Sequence, residues 1–282
     1  NMKVSIIGHG FVGKALENGI NDNVSTQIID PKYNNSISDV AQFNPKIIFI
    51  CVPTPMNNDG TQDLDILRKV IKEIHNMQLA AKVVIKSTVL PSEILDFQNL
   101  IPGILFNPEF LTEKNANEDF INGDLIVIGG DSENRFLISE FYQKNTECIS
   151  KDHILTDLIS ASLIKYTINS FLASKVIFFN QIHSLFNHSG TKESWEYFIL
   201  ALSKDTRIGN SHMQVPGPDG RYGFGGACFP KDSLALYKYS ESLNTPLEIL
   251  KKVIDTNNDI RNSYDTLIDR ENDQNIDFQP KK

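Results

Sequence analysis

The stretch Lys3-Val-Ser-Ile-Ile-Gly-His-Gly-Phe-Val-Gly13 decides the fold. A short β-branched run leads into three glycines at G-x-G-x-x-G spacing, and an amphipathic segment follows from Phe11 to Gly19. Strand, tight turn and helix in that order suit a dinucleotide pyrophosphate. Gly8 makes the turn, Gly10 admits the pyrophosphate to the backbone, and Gly13 lets helix and strand pack. The helix N-terminal amides then face the phosphates. Asp30, 22 residues after Gly8, ends the next β-branched run. A carboxylate there accepts hydrogen bonds from both ribose hydroxyls and repels a 2′-phosphate, so NAD is expected rather than NADP. Nearby Lys32 is the one feature that argues the other way.

Working outward, residues 3 to 150 keep alternating β-branched runs with amphipathic segments. Strands are predicted at Lys3–Ile7, Thr26–Ile29, Lys46–Cys51, Lys82–Lys86, Gly103–Phe106 and Leu125–Ile128, with helices at Phe11–Gly19 and Leu64–Asn76 among the connections. This is the pattern of a parallel sheet flanked by helices. Three loops fall at the carboxyl ends of such strands, where open parallel sheets bind ligands. They are Val52-Pro-Thr-Pro55, Ser87-Thr-Val-Leu-Pro91 and Asn107-Pro-Glu-Phe-Leu-Thr-Glu113. Thr54, Thr88, Glu109 and Glu113 are thereby candidates for a binding cleft. Each alone could equally cap a helix or sit in solvent.

The remainder reads as helical. One long helix is predicted from about Thr156 to Phe186, apolar on most sides and so expected to be buried. Lys165 and Asn169, four apart on one face of it, need partners or a ligand in such surroundings. Further helices are predicted at Lys192–Ser203, Asp232–Ser242 and Leu247–Asn258. Between them, residues 204 to 230 form a long Gly- and Pro-rich stretch carrying Arg207, and loops of that length inside a domain are usually functional. It ends in Tyr222-Gly-Phe-Gly-Gly-Ala-Cys-Phe-Pro-Lys-Asp232. Gly225 and Gly226 free the backbone before Cys228, and a neighbouring ammonium such as Lys231 favours the nucleophilic thiolate. A free cysteine is often only a small buried hydrophobe; the Lys-Asp pair tips this one toward chemistry. The expected organisation is α/β: a Rossmann-like, doubly wound domain over residues 1–150, an all-α central and dimerisation domain over 151–268, and a polar, frayed tail over 269–282.

At 282 residues the chain has room for two domains, and its net charge of −8 argues against nucleic acid as main partner. The three cysteines, Cys51, Cys148 and Cys228, are far apart and suggest free thiols in a reducing, cytoplasmic setting. The first strand begins almost at once, so no signal peptide is read. Lys165, Asn169, Lys175, Asn180 and Gln181 make the long apolar helix too costly for a membrane span. The six histidines show no metal-ligand spacing. A helix this apolar is expected to find its partner face in a homodimer.

Taken together, these motifs resemble the UDP-glucose and GDP-mannose dehydrogenase family. The matching residues are Gly8-His-Gly-Phe-Val-Gly13, Val52-Pro-Thr-Pro55, Ser87-Thr-Val89, Asn107-Pro-Glu-Phe-Leu111 with Glu113, Lys165-x-x-x-Asn169, Arg207-Ile-Gly209 and Gly223-Phe-Gly-Gly-Ala-Cys-Phe-Pro-Lys-Asp232. The resemblance implies oxidation of a nucleotide-sugar primary alcohol to a carboxylate with two NAD. It implies that Lys165 and Asn169 stabilise oxyanions and that Cys228 captures the aldehyde as thiohemiacetal and thioester. Glu109 would activate water, Asp232 would position it, and Thr88 would place water or cofactor. Gly8, Gly10, Phe11, Val12, Gly13, Asp30, Lys32, Val52, Pro53, Thr54, Glu113 and Lys231 fall to cofactor binding, and Phe110, Leu111, Arg207, Phe224 and Gly225 to substrate. Two departures stand out. Members of the family continue into a third, C-terminal nucleotide-binding domain, whereas this sequence stops at Lys282, and the loop before Gly223 is longer than usual. Two other readings remain: a two-domain β-hydroxyacid dehydrogenase performing one oxidation, and a silent NAD-binding module.

Overall fold

The computed structural model describes residues 2–278. It divides into two compact units: residues up to Thr54 together with Asp63–Lys165, and Pro55–Gln62 together with residues from Tyr166 on. The division falls inside the long helix, 15 residues past the expected boundary at 150/151.

The first unit is built on seven strands, β1 (Lys3–Ile7), β2 (Ser25–Ile29), β3 (Ile47–Ile50), β4 (Lys82–Ile85), β5 (Leu105–Phe106), β6 (Val127–Gly129) and β7 (Ile154–Thr156). They lie in the order β2-β1-β3-β4-β5-β6-β7. All neighbours are parallel except β5 and β6, which meet antiparallel at the single pair Phe106–Gly129. Between them run α1 (Phe11–Gly19), α2 (Asp39–Phe43), α3 (Asp65–Met77), α4 (Pro91–Leu100), α5 (Ala116–Asn122) and α6 (Ser132–Asn145). The strand period of two sends alternate residues to opposite layers. Ile48 and Ile50 of β3 join Leu67, Ile71, Ile94 and Phe97 of α3 and α4. Ile47 and Phe49 join Leu16, Phe120, Phe141 and Tyr142 of α1, α5 and α6. Both faces of the central strands are therefore covered, which is why these strands read as unbroken apolar runs. The chain order reverses between β1 and β3, and a ligand crevice forms at such a switch point in doubly wound sheets.

The first of the expected strands is matched residue for residue, the second gains Ser25 at its start, and the other four are shifted or shortened at their ends. The seventh, β7, was missed because it is a three-residue edge strand whose Ile154 and Leu155 are exposed and show no alternation. The sheet is also mixed rather than wholly parallel.

The second unit consists of α7 (Leu158–His188) from Tyr166 on, then α8 (Trp195–Ser203), α9 (Phe229–Ser242), α10 (Glu248–Arg261) and α11 (Asp269–Asp273). Its apolar packing includes Phe179, Trp195, Met213 and Val215 in one cluster and Ala173, Ile177 and Phe224 in another. The long helix leaves Phe171, Phe178 and Leu185 66%, 57% and 65% exposed within this one chain. One expectation changes here. The tail is not frayed as far as it is described: Glu271, Ile276 and Phe278 are buried, because Asp269–Asp273 form a short helix and the segment after it packs. Residues 279–282 of that expected tail lie outside the described residues. No helix among the described residues is long and apolar enough to cross a membrane.

Close packing in the first unit depends on Gly129. A Cβ there would stand 2.6 Å from Cβ of Ala161 and 2.8 Å from the Asp157 carbonyl oxygen. Gly129→Val should thus push the start of α7 off the sheet and cost about 1–3 kcal/mol. Urea unfolding checks this, and an unchanged midpoint would contradict it.

Candidate active site

In the first unit the glycine turn has the expected build. Gly8 sits at φ +91°, and a Cβ there would be 2.7 Å from the Cys51 carbonyl oxygen. At Gly13 a Cβ would fall 2.1 Å from the Gly8 oxygen. Neither position accepts a side chain without moving backbone. Gly10 is different: it is exposed, and nothing lies within 4 Å of its Cβ position. It is also the N-cap of α1 and contributes no side-chain cap. The turn is thus tight where helix meets strand and open where a pyrophosphate would approach, so these residues fit a dinucleotide. Phe11 and Glu113, two of the proposed cofactor contacts, line one pocket of about 330 Å³ with Lys14.

Asp30 follows the end of β2 and accepts from the His9 amide at 2.7 Å and the Lys32 amide at 3.1 Å. Partial burial works to raise its pKa, but those amides and the Lys32 charge outweigh it and hold the carboxyl below its usual range. Lys32, the residue that argued for NADP, turns its ammonium onto the His9 carbonyl. Its charge is spent on the turn, which leaves Asp30 to set the preference.

The carboxyl ends of β3 and β4 are laced together. Thr54 Oγ1 donates to the Thr88 carbonyl at 3.2 Å, and Ser87 Oγ donates to the Val52 carbonyl at 2.6 Å. Val52 is buried beside the exposed Pro53, while Val12 is half-buried within α1. After β5, Glu109 pairs with the buried Lys86 ammonium. Lys165 of α7 donates to the Glu109 main-chain carbonyl and lies 5.2 Å from the Phe110 ring centroid. Phe110 and Leu111 are half-buried and line a pocket of about 260 Å³ with Lys86, Glu109, Tyr142 and Cys148.

Lys86 is a buried, pocket-lining residue that the motif reading passed over. Its ammonium donates to Asn107 Oδ1 at 2.8 Å and to the Tyr142 hydroxyl at 3.0 Å. Burial pushes it down to about 8, while the Glu109 carboxylate beside it favours the charged form. Its signal in the sequence was a lysine closing a strand that is otherwise apolar from Val83 to Ile85.

The second unit brings together Asn169, Lys231, Asp232 and Cys228. Asp232 is 0% exposed. Its Oδ2 accepts from Asn169 Nδ2 at 2.7 Å and its Oδ1 from Lys231 Nζ at 2.9 Å. Burial alone would lower the Lys231 pKa, but the charges of Asp232 and Cys228 outweigh it and hold it above the ordinary value. Cys228 is half-buried at the N-cap of α9, with Pro230 in the first turn. Lys231, expected at the cofactor, is therefore buried against Asp232 and within electrostatic reach of the Cys228 sulfur.

The residues expected at the substrate scatter. Arg207 is exposed and braced by Asp205 at 2.9 and 2.6 Å. Phe224 is 4% exposed and belongs to the core with Ala173 and Ile177, and a Cβ on Gly225 would strike Glu271 and Arg261. Both are scaffold of the cysteine loop in this structure, because their free sides are filled by the second unit's own atoms.

Sequence models of the UDP-glucose/GDP-mannose dehydrogenase family match this chain twice. The NAD binding domain matches residues 14–146 and the central domain residues 159–259. The chain belongs to that family. A UDP-glucose 6-dehydrogenase of Rickettsia felis is 37% identical over 236 residues, covering 80% of this chain and 49% of the relative. The chain thus spans about half the length of the curated relatives it matches. Among solved structures, a UDP-glucose dehydrogenase from Pyrobaculum islandicum superposes with a TM-score of 0.77 at 27% identity, over 91% of this chain and 68% of that one. A 3-hydroxyisobutyrate dehydrogenase from Mycobacterium tuberculosis gives 0.71 at 15% identity, over 98% and 96%, and shares the fold.

Lys86 makes a pH prediction. Its pKa is about 8 folded against an ordinary 10.5. Between those values the unfolded chain binds more protons, so this group's contribution to stability rises with pH, by roughly 3 kcal/mol across the window. Lys86→Met lacks that rise. Urea unfolding of both proteins from pH 7.5 to 10 should show the wild type gaining on the variant, and a constant gap would exclude the shift.

Proposed function

We propose that the chain carries out the NAD-dependent four-electron oxidation of a nucleotide-sugar C6 alcohol, UDP-glucose first among them, to the uronate. The observation that carries this reading is the Asn169–Asp232–Lys231 set with Cys228 on the same helical start. A thiol four residues from a buried carboxylate, within electrostatic reach of an ammonium, is suited to covalent capture. A dehydrogenase that performs one oxidation has no use for it.

NAD, held by the glycine turn and Asp30, supplies the hydride acceptor for each oxidation. The chain's own groups handle the protons and the oxyanions. Lys165 provides a buried positive charge for the alkoxide that develops as the alcohol is oxidised. Asn169, fixed by its bond to Asp232, adds an N–H donor one turn further along α7. The Cys228 sulfur bonds to the aldehyde carbon, the carbonyl double bond opens and its oxygen takes a proton, giving a thiohemiacetal. Hydride loss from that carbon, with release of the hydroxyl proton, leaves a thioester. Water, losing its proton to Glu109, adds to the thioester carbonyl, the C–S bond breaks and the acid departs. The sum is one alcohol, one water and two NAD in; one carboxylate, two NADH and three protons out. Lys86 is the countercharge for a Glu109 carboxylate that must be ionised to take its proton. Thr88 places water or cofactor, and Arg207, braced by Asp205, stands exposed at the surface to reach a substrate. Three free thiols suit a cytoplasmic setting.

With UDP-glucose as probe, two NADH should form per molecule consumed, and Cys228→Ser should abolish acid formation while NAD affinity stays within about twofold. One NADH per substrate would favour the β-hydroxyacid type of reaction, and NAD binding without turnover would favour a silent module. Acid formed by Cys228→Ser at the wild-type rate would refute the covalent route.

The same reading includes a homodimer. Phe171, Phe178 and Leu185 recur every seven residues, so they share a face of α7, and Tyr197 and Leu200 of α8 are also exposed. A row of large apolar side chains in water is what a second copy of the chain would cover. Phe178→Glu should sediment as a monomer at micromolar concentration where the wild type is a dimer. A wild type that is monomeric there would remove the proposal.

A further inference from the structure

The loop that delivers Cys228 is held from behind by the end of α10 and the segment after it. Four consecutive hydrogen-bonding groups of this loop are satisfied by side chains far along the chain. The Gly223 amide donates to Asn180 Oδ1 at 2.9 Å, and the Gly223 carbonyl accepts from Arg261 Nη2 at 3.1 Å. Asn257 takes the Phe224 amide at 2.6 Å and donates to the Phe224 carbonyl at 2.9 Å. Glu271 Oε1 accepts the Gly226 amide at 3.2 Å. Its other oxygen accepts the Ile268 amide at 3.0 Å, which closes the first turn of α11. Arg261 Nη1 reaches Asp219 at 2.7 Å and Glu271 at 3.4 Å. The Arg261 and Glu271 side chains are 1% and 0% exposed.

The glycines record the same arrangement. A Cβ on Gly225 would lie 2.2 Å from Glu271 Oε1 and 2.6 Å from Arg261 Nη1. A Cβ on Gly223 would lie 2.5 Å from Asn257 Oδ1. Nothing lies within 4 Å of the Cβ position of Gly226. Two of these glycines therefore make room for the supporting side chains, and only the third faces open space.

We propose that Arg261 and Glu271 are positioning residues for Cys228, and that residues 262–278 form a brace that fixes the glycine loop. The physical cause is a buried carboxylate with one oxygen committed to the loop. Arg261 lies beside Glu271 as its countercharge, and a carboxylate oxygen is a stronger acceptor for the Gly226 amide than a neutral one. Removing either residue leaves its partner buried and uncompensated, and the loop loses its fixed end. The brace is read out at the thiol itself, so it stands or fails separately from the oxidation proposed above.

The test is alkylation of the intact chain by iodoacetamide, with the modified cysteine assigned by mass spectrometry. Cys51 and Cys148, both buried, report on global opening. In Glu271→Ala, Cys228 should react faster by about fivefold or more, with exchange of the 223–227 amides accelerated to match, while Cys51 and Cys148 stay protected. Glu271→Gln keeps an oxygen for the Gly226 amide and should return most of the effect. Asp219→Ala, which strips one partner from Arg261, is the milder variant should Glu271→Ala not fold, and it should move Cys228 in the same direction. A Cys228 rate within twofold of wild type in these variants overturns the proposal. So does a rise shared equally by all three cysteines, or amide exchange accelerated equally along α9 and α10, either of which would make Glu271 a general stability residue.

Discussion

The second unit turns on a carboxylate that has no water. Asp232 is fully buried, and an uncompensated charge in that position costs several kcal/mol. It persists because two partners converge on it, Lys231 from the adjacent position of α9 and Asn169 from α7. Those bonds fix the rotation of α9 about its axis, and so fix where its N-cap residue, Cys228, points. They also fix Asn169 on α7. One buried charge thus arranges three other residues of the second unit, Lys231, Asn169 and Cys228. Replacing it by an apolar residue could leave the packing sound while erasing the orientation, which is why a buried polar network of this kind specifies geometry more than it adds stability.

Glycine shows how far a sequence can be read. Gly8 and Gly13 were legible because their spacing, between a strand and a helix, names the backbone approach they permit. Gly10 was legible for the opposite reason, as the open position of the same motif. Gly225 carries the same letter and was read as an opening toward a substrate, but its missing side chain, like that of Gly223, makes room for Asn257, Arg261 and Glu271. Nothing local distinguishes the two uses, since the atoms that fill the space come from more than thirty residues away. Glu271 was invisible for the same reason. It lies in a stretch of Asp, Arg, Asn and Gln whose composition is that of a solvated tail, and only the arginine ten residues before it makes burial affordable.

The doubly wound sheet was readable almost to the residue because the central strands are buried on both faces and carry unbroken β-branched runs. Where that condition lapses, the reading lapses. β7 is an exposed edge strand, and β5 and β6 share a single pair, so neither pairing direction nor existence had a periodic signal. The long helix is a different case. Its sequence is apolar around most of its circumference, which implied burial without saying against what, and three large residues on one side of it are exposed within this chain. Apolar surface carries no mark of what covers it, and a face satisfied by a second copy is written in the same residues as a face satisfied by the chain's own core.

Two buried lysines make the electrostatic logic explicit, because burial acts on both and the outcomes have opposite sign. Lys86 is fully buried beside Glu109, an amide, a phenol and two thiols, with a second lysine, Lys165, contributing repulsion, and burial pulls its pKa down. Lys231 faces a carboxylate that is itself without solvent, and its pKa rises. The difference lies in what offsets burial: the charges of Asp232 and Cys228 outweigh it at Lys231, whereas at Lys86 burial prevails. As pH climbs past about 8, the charge beside Glu109 is therefore released first, while the charge that anchors Asp232 and attends Cys228 stays in place. On the proposed mechanism, the carboxylate that exchanges protons with water has the more loosely held countercharge, and the carboxylate that holds its neighbours has the tighter one.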